Sequence, residues 1–330
     1  MKLAAGLAIL ACGFAATWLC LPLAPTGFLA LGIGLAAGAL AAGPLIDRLR
    51  PKPVLVAGLV ALGAASGTRF PAGALGLGIG MTLVAANALV PAAPRGGRAA
   101  ALNLLNLLLP VGAVFNPAFG VANVPVATLP IAAVALAFAL WMRMPAPPEP
   151  TAPEKRPAIS LLAVLLFLYA ACEAGTWNWL AEYWRVTRVL DRETAWQVLC
   201  YGVPLGLIAG RAWSARLLAS VAPLRVVQVA SLAMALAAGL LLLARSPSAS
   251  WVAAFVAGAA MAPVLPTVLA MAGEALPRWP ATGMGIALAA GSLGVWAVRS
   301  SPPRGMLALP AVSLAMALVA WAMGPRKRAE

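Results

Sequence analysis

Apolar residues run along most of this chain without the interruptions that would give a surface helix its polar face. Leu3 to Ile46 is 44 residues without a charged side chain, and Ala99 to Met142 is another 44. Each run holds two bilayer crossings, since a spanning helix needs about 20 apolar residues. Shorter uncharged runs cover Phe70–Pro94, Val226–Ala244, Ser246–Gly273, Trp279–Val298 and Gly305–Pro325. Divided at glycine, proline and basic turns, the pattern predicts twelve helices, at roughly 3–22, 27–46, 53–69, 71–92, 98–118, 122–143, 158–180, 194–214, 225–244, 250–273, 281–299 and 304–323. The opening "MKLAAGLAILACGFAATWLCLPLAP" is longer than a signal-peptide core and another apolar segment follows at once, so it reads as the first helix.

Composition agrees. Of the 330 residues, 63% are hydrophobic and 10% charged, with a mean hydropathy of +0.94. A soluble domain cannot hide that much apolar surface, so lipid is the expected surroundings. A net charge of +14 in a soluble protein would point to nucleic acid. Here basic residues mark topology instead. With the N-terminus inside, 16 of the 23 basic residues, Arg211 among them, fall in cytoplasmic segments. Both termini are therefore expected in the cytoplasm, with no nucleic-acid partner. The high Ala, Gly, Pro and Arg content suits a GC-rich bacterial genome and hence the inner membrane.

Cys12, Cys20, Cys172 and Cys200 all fall in predicted spans without metal-ligand spacing, and there is no histidine. They read as buried free thiols, with no metal and no cofactor expected. The lack of histidine argues against a zinc site and a Ser-His-Asp hydrolase. An enzyme acting on lipid-linked substrates would need convergent acids, and the nine acidic residues are scattered mostly through loops.

One hydrophilic stretch interrupts the middle, "MRMPAPPEPTAPEKRP" from Met142 to Pro157. Its prolines keep it extended and its mixed charge keeps it in water. It divides the chain into a first six-helix bundle, 1–143, a cytoplasmic linker, 144–157, and a second bundle, 158–330. The halves resemble each other. "GPLIDRLRPKPVLVAGLVALGAA" from Gly43 matches "GRAWSARLLASVAPLRVVQVASLAMALAA" from Gly210, each a glycine, a basic turn and a span opening on Val and Leu. "PRGGRAAALNLLNLLLPVGA" from Pro94 likewise matches "PRWPATGMGIALAAGSLG" from Pro277. A six-helix unit duplicated in one orientation is the pattern of a parallel-repeat transporter, whose ligand site lies between the halves near mid-membrane. The expected fold is all-α, with twelve transmembrane helices in two bundles related by a pseudo-twofold axis.

"GPLIDRLRPKP" resembles the signature loop between helices 2 and 3 of the major facilitator superfamily, with Gly43, Asp47, Arg48, Arg50 and Lys52 in its pattern. Glycine lets helices approach closely, and the aspartate can pair with an arginine or sit against a helix N-terminus. "GIGMTLVAANALV", "ALNLLNLLLPVGAVFNP", "YAACEAGTWNWLAEYW" and "GAAMAPVLPTVLAMAGEALP" look like helices 4, 5, 7 and 10 of its fucose-permease-like branch. The resemblance implies alternating access by two rocking bundles, with sugars or other small polar metabolites as cargo. It also implies acidic residues in helices 1 and 4. Here helix 1 has none, and helix 4 offers Asn87.

Glu173 is the candidate centre. An acidic residue at a helix centre costs about 2.5–3.5 kcal/mol on insertion scales, so its presence calls for a reason. Tyr169, Glu173 and Trp177 are spaced i, i+4, i+8 and share one helix face. Phenol, carboxyl and indole together suit a polyol, through hydrogen bonds and stacking. Desolvation suits the carboxyl to taking up and releasing a proton, which makes Glu173 the proton-coupling candidate. The alternative is a glutamate, protonated or paired with an arginine, that holds helix 7 to a neighbour. Asn87, Asn103 and Asn106 are candidate sugar-hydroxyl ligands, or amide glue between helices. Asn116, beside Pro117, reads as a cap, and Trp18 as an interfacial anchor. Trp179, Glu182, Tyr183, Trp184, Arg185 and Arg188 read as an aromatic belt with solvated charges, with an outer gate as the other reading. Pro263 and Pro266 suit a gate helix or a packing kink. Gly34 and Gly38 mark a close-packing face.

The expected function is secondary active transport of a small polar solute, with a proton as candidate co-substrate, lipid as surroundings and a monomer as the working unit. An exporter of amphipathic compounds and a transporter-shaped protein without flux are the alternatives.

Overall fold

The computed structural model describes residues 2–16, 25–67, 72–91, 96–119, 124–143, 158–299 and 303–324. The linker 144–157, Trp18 and Cys20 lie outside them, as do the surroundings of the Asn116 side chain. Among the described residues the structure is helical, without strands. The first half contains α1 (Lys2–Ala16), α2 (Pro25–Leu49), α3 (Pro51–Gly67), α4 (Ala72–Ala88), α5 (Gly97–Asn106), α6 (Leu108–Phe119) and α7 (Val124–Trp141). The second contains α8 (Ile159–Val186), α9 (Arg192–Gln197), α10 (Val203–Leu217), α11 (Pro223–Leu243), α12 (Pro247–Met261), α13 (Val264–Ala275), α14 (Pro280–Arg299) and α15 (Leu309–Ala322). Among the described residues, eight helical rods are long and apolar enough to cross a membrane, and four shorter apolar helices accompany them.

Local chemistry explains where the rods are interrupted. The α5–α6 rod is broken at Leu107, three residues before Pro110. The α12–α13 rod is broken at Ala262 and Pro263. Between α9 and α10 lies a π-helical turn, Val198–Gly202, just before Pro204. In each case a proline removes an N–H from the ladder and the backbone adjusts around the gap.

The seventh predicted helix runs six residues past its expected end at 180. The Glu182 carboxylate accepts from Arg185 Nε at 2.7 Å and Nη2 at 2.5 Å, one turn apart, and supports the added turns. The aromatic residues there are not an interfacial belt. Trp184 is fully buried and donates from Nε1 to Leu241 O, while Tyr183 Oη donates to Leu242 O, both at 3.3 Å. Trp179 is also buried, beside Gly175 and Gly305. These side chains tie the end of α8 to α11 and to the turn before α15.

Contacts repeat between the halves. In the first, α1 packs on α4, α6 and α7, α2 on α4, and α3 on α4 and α7. In the second, α8 packs on α13, α14 and α15, α10 on α12, and α11 on α12 and α15. The pair α2–α4 comes close because it is paved with glycine. A Cβ at Gly34 or Gly38 would run into the backbone carbonyls of Gly73 and Leu77, and one at Gly76 or Gly80 into those of Leu31 and Leu35. Close backbone approach supplies the dispersion that holds helices together where lipid weakens the hydrophobic drive. The outer surface carries Leu236, Leu243, Leu318 and Trp213, each at least 63% exposed. An apolar exterior on this scale fits a hydrocarbon solvent.

Candidate functional site

Contacts between the halves run through α2 with α14, and through α5 with α10 and α13. At one end of the protein the signature loop makes the first of these. Asp47, in the last turn of α2, aims its carboxylate at the start of α14. Oδ1 accepts from Ala281 N at 3.1 Å, and Oδ2 from Thr282 N at 2.9 Å and Thr282 Oγ1 at 2.7 Å. A carboxylate against unpaired N–H groups at a helix N-terminus meets both a hydrogen-bond need and the helix dipole. Gly43, one turn earlier, lets the backbones meet, since a Cβ there would lie 2.6 Å from Thr282 Cα. Arg48 faces outward and is exposed. Lys52 caps a different helix, donating from Nζ to Leu140 O at 2.8 Å and Met142 O at 2.9 Å at the end of α7. Arg50 adopts φ 72°, a left-handed conformation at a helix end where glycine is usual.

The same end is closed between α5, α10 and α13. Gly96 has φ 78°, and a Cβ there would lie 2.6 Å from Leu218 O at the end of α10. Arg98 is buried against Gly273 and beside the charge of Glu274. Asn103 is fully buried, and its amide is engaged on three sides. It donates to Ala99 O at 2.8 Å and Thr267 Oγ1 at 3.1 Å, and accepts from Ser214 Oγ at 2.9 Å.

One turn further along α5, away from Asp47, the network becomes a site. Asn106 Nδ2 donates to Asn87 Oδ1 at 2.6 Å and to Leu102 O at 2.9 Å. Asn87 Nδ2 donates to Leu83 O at 2.8 Å. Arg211, which the charge pattern assigns to the cytoplasmic end of helix 8, is instead fully buried inside the protein. Its Nη1 donates to Asn106 O and its Nε to Ala262 O. The Arg211 charge acts in turn on Glu173 and Tyr169 of α8.

The carboxyl–phenol–indole face lies inside the protein. Tyr169 is buried, Trp177 is half-buried against the core, and Glu173 keeps accessible surface although protein surrounds it at depth. One buried polar atom here, Asn106 Oδ1, has no hydrogen bond from the protein, while Tyr169 Oη lies beside Glu173 and Arg211. A buried polar atom of this kind calls for a partner from water or a ligand. The structure thus joins Asn106 and Asn87 to Glu173 and Tyr169 through Arg211, and sets Asn103 one turn away in the closed end. The sequence pattern places Arg211 in the cytoplasm and gives no sign of Ser214 or Thr267. The available signal was the proline pattern, since prolines leave carbonyls in need of an outside donor.

The profile of the Major Facilitator Superfamily matches residues 5–298. Solved structures with the same fold include FucP, a transporter of that superfamily, in the outward conformation (16% identity, 98% of each chain, TM-score 0.78). The Escherichia coli fucose:proton symporter FucP aligns at 15% identity over 98% of each chain, with a TM-score of 0.74. The human organic anion transporter MFSD10 aligns at 17% identity over 98% of this chain and 96% of the other, with a TM-score of 0.73. The proton:xylose symporter XylE bound to 6-bromo-6-deoxy-D-glucose gives 13%, 98%, 95% and 0.72. No curated protein matches the sequence.

Proposed function

The chain belongs to the major facilitator superfamily and is a multi-pass membrane transporter, and on that premise we propose that it moves a small polar, sugar-like solute by alternating access, coupled to a proton at Glu173. Twelve spans form two six-helix bundles, 1–143 and 158–330, joined by the 144–157 linker, in the cytoplasmic membrane of a bacterium. The Asp47 end is the cytoplasmic end, where the basic turns gather, and its closure makes this the outward-facing state. Likeness to FucP in its outward conformation supports that assignment.

The observation that carries the reading is Glu173, an acidic residue deep in the protein whose surface is only partly closed over. A carboxyl held there for structure alone would be closed over by partners; one that serves transport must be reached by proton and cargo. Asn106 Oδ1 is free to bond the cargo, and Tyr169 Oη stands beside Glu173 on the facing helix. Trp177 offers a stacking face, Asn87 extends the opposite wall, and Asn103 lies at the floor. Among the structural neighbours, two are named as proton symporters of sugars.

The test is a thermal-shift screen of sugars, polyols, sugar acids and amino acids on purified protein, followed by uptake of any hit into proteoliposomes. A ligand that binds only the folded state raises the melting temperature, by about 2.7 kcal/mol of stability at a hundred times its Kd. Glu173→Gln is expected to abolish proton-linked uptake while membrane insertion persists. Unchanged pH-dependent flux in that variant removes Glu173 from the mechanism.

A further inference from the structure

The two carbonyls that Arg211 bonds share a property that makes the contact specific. In an α-helix the carbonyl of residue i accepts from the N–H of residue i+4. Pro110 stands four residues after Asn106, and Pro266 four residues after Ala262. Proline has no N–H to give. Asn106 O in α5 and Ala262 O ahead of α13 have therefore both lost their ordinary donor, and Arg211 supplies a donor to each. One guanidinium fills two proline gaps, one in each half of the chain. Gly210 brings it within reach, because a Cβ there would lie 2.5 Å from Ala259 O and 2.6 Å from Ala262 Cβ.

We propose that Arg211 is a positioning residue that ties the two proline-interrupted rods, α5–α6 and α12–α13, across the interface between the halves, and that its bond to Asn106 O breaks and reforms in each transport cycle. The guanidinium meets the two carbonyls from two separate nitrogens held in a fixed plane, Nε and Nη1, whereas a lysine would have to meet both from a single Nζ. The bond to Ala262 O stays within the second half, so only the Asn106 bond opens when the halves part. Glu173 is carried by the same half, so its place near Arg211 is kept when the halves part. Asn106 O, left by Arg211, is then offered to water.

The inference takes from the transport reading only that the halves separate, and its test does not need a cargo. In purified full-length protein, thermal unfolding is measured for Arg211→Met, for the pair Pro110→Ala and Pro266→Ala, and for all three together. Arg211→Met is expected to lower Tm by several degrees. In the alanine background the helix N–H groups return and satisfy both carbonyls, so the same replacement is expected to cost much less. An equal loss in both backgrounds overturns the staple, because a guanidinium valued only for packing gains nothing from restored N–H groups. If Arg211→Met does not accumulate, Arg211→Lys goes through the same cycle under the same criterion. Spin-label distances between α3 and α11 at the Asp47 end supply a readout that a merely structural role would not move. Arg211→Met is expected to raise the open fraction severalfold, and an unchanged distribution overturns the claim that the bond cycles. Strong coupling in the Tm cycle together with absent flux would sink the transport reading and leave the staple standing.

Discussion

Replacing Asp47 with alanine tests whether the signature loop sets the conformational equilibrium. The carboxylate accepts three hydrogen bonds from the first turn of α14, two from backbone N–H groups and one from a hydroxyl. Loss of a capping side chain typically costs about 1 kcal/mol, and a partly buried charge at a helix terminus adds up to about 1–2 kcal/mol. The sum, about 2–3 kcal/mol, falls on one state, because α2 and α14 belong to different halves and their contact at this end exists only when the end is closed. At 1.36 kcal/mol per factor of ten, Asp47→Ala should move the closed-to-open ratio about 30- to 150-fold toward opening. Asp47→Asn keeps one acceptor and loses the charge, so it should fall between. The assay is a spin-label distance distribution between the α2–α3 turn and the start of α14 in nanodiscs. An unchanged distribution in Asp47→Ala, with both labels reporting folded protein, would refute the reasoning.

Three further outcomes are expected. Arg50→Gly should stabilise the protein by about 0.5–1 kcal/mol, because a left-handed residue with a Cβ costs roughly 1–2 kcal/mol and the added chain entropy of glycine offsets only part of it; a Tm at or below wild type would contradict this. Gly34→Val should cost at least the roughly 3 kcal/mol of severe overpacking, because its Cβ meets the Gly73 carbonyl, which cannot swing away as a side chain would; near-native yield and Tm would show that α2 and α4 are not held so close. The Asp191 carboxylate caps α9, and the N–H and hydroxyl of Thr194, with the Glu193 N–H, hold its pKa below the usual 3.8. A lowered folded-state pKa gives a contribution present above the unfolded value and lost as pH falls through the folded one, so Asp191→Ala should lower Tm at pH 7 and make no difference well below pH 3.8; a Tm deficit that persists in acid would remove the cap from the account.

The helices were legible because their cause is local: long uncharged runs broken by glycine, proline and basic turns. The signature loop was legible for the same reason, down to an aspartate suited to a helix N-terminus. Its partners, Ala281 and Thr282, lie more than 230 residues away and no local pattern points to them. Arg211 shows where local reading fails. In "GLIAGRAWSARL" it sits near another arginine at the expected end of a span, and the positive-inside rule places it in the cytoplasm. What holds it inside is written on two other helices, in Pro110 and Pro266. Trp184 misled in the same way, since a tryptophan near a predicted helix end is ordinarily an anchor, and only the position of Leu241 shows it to be core. Asn103 and Asn106 are one turn apart and chemically alike. Their different settings, a closed contact with Ser214 and Thr267 for one and an open carbonyl oxygen for the other, come from which residues of the second half lie opposite.

In the proposed outward-facing state, Glu173 is reached by proton and cargo from the side away from Asp47. The most direct measurement is thiol labelling of Glu173→Cys in intact cells, with the four native cysteines replaced. A membrane-impermeant maleimide added from outside should label it, and an identified cargo should slow that labelling. Labelling by lipid-soluble reagents alone, or none while the protein is folded and inserted, would contradict the account.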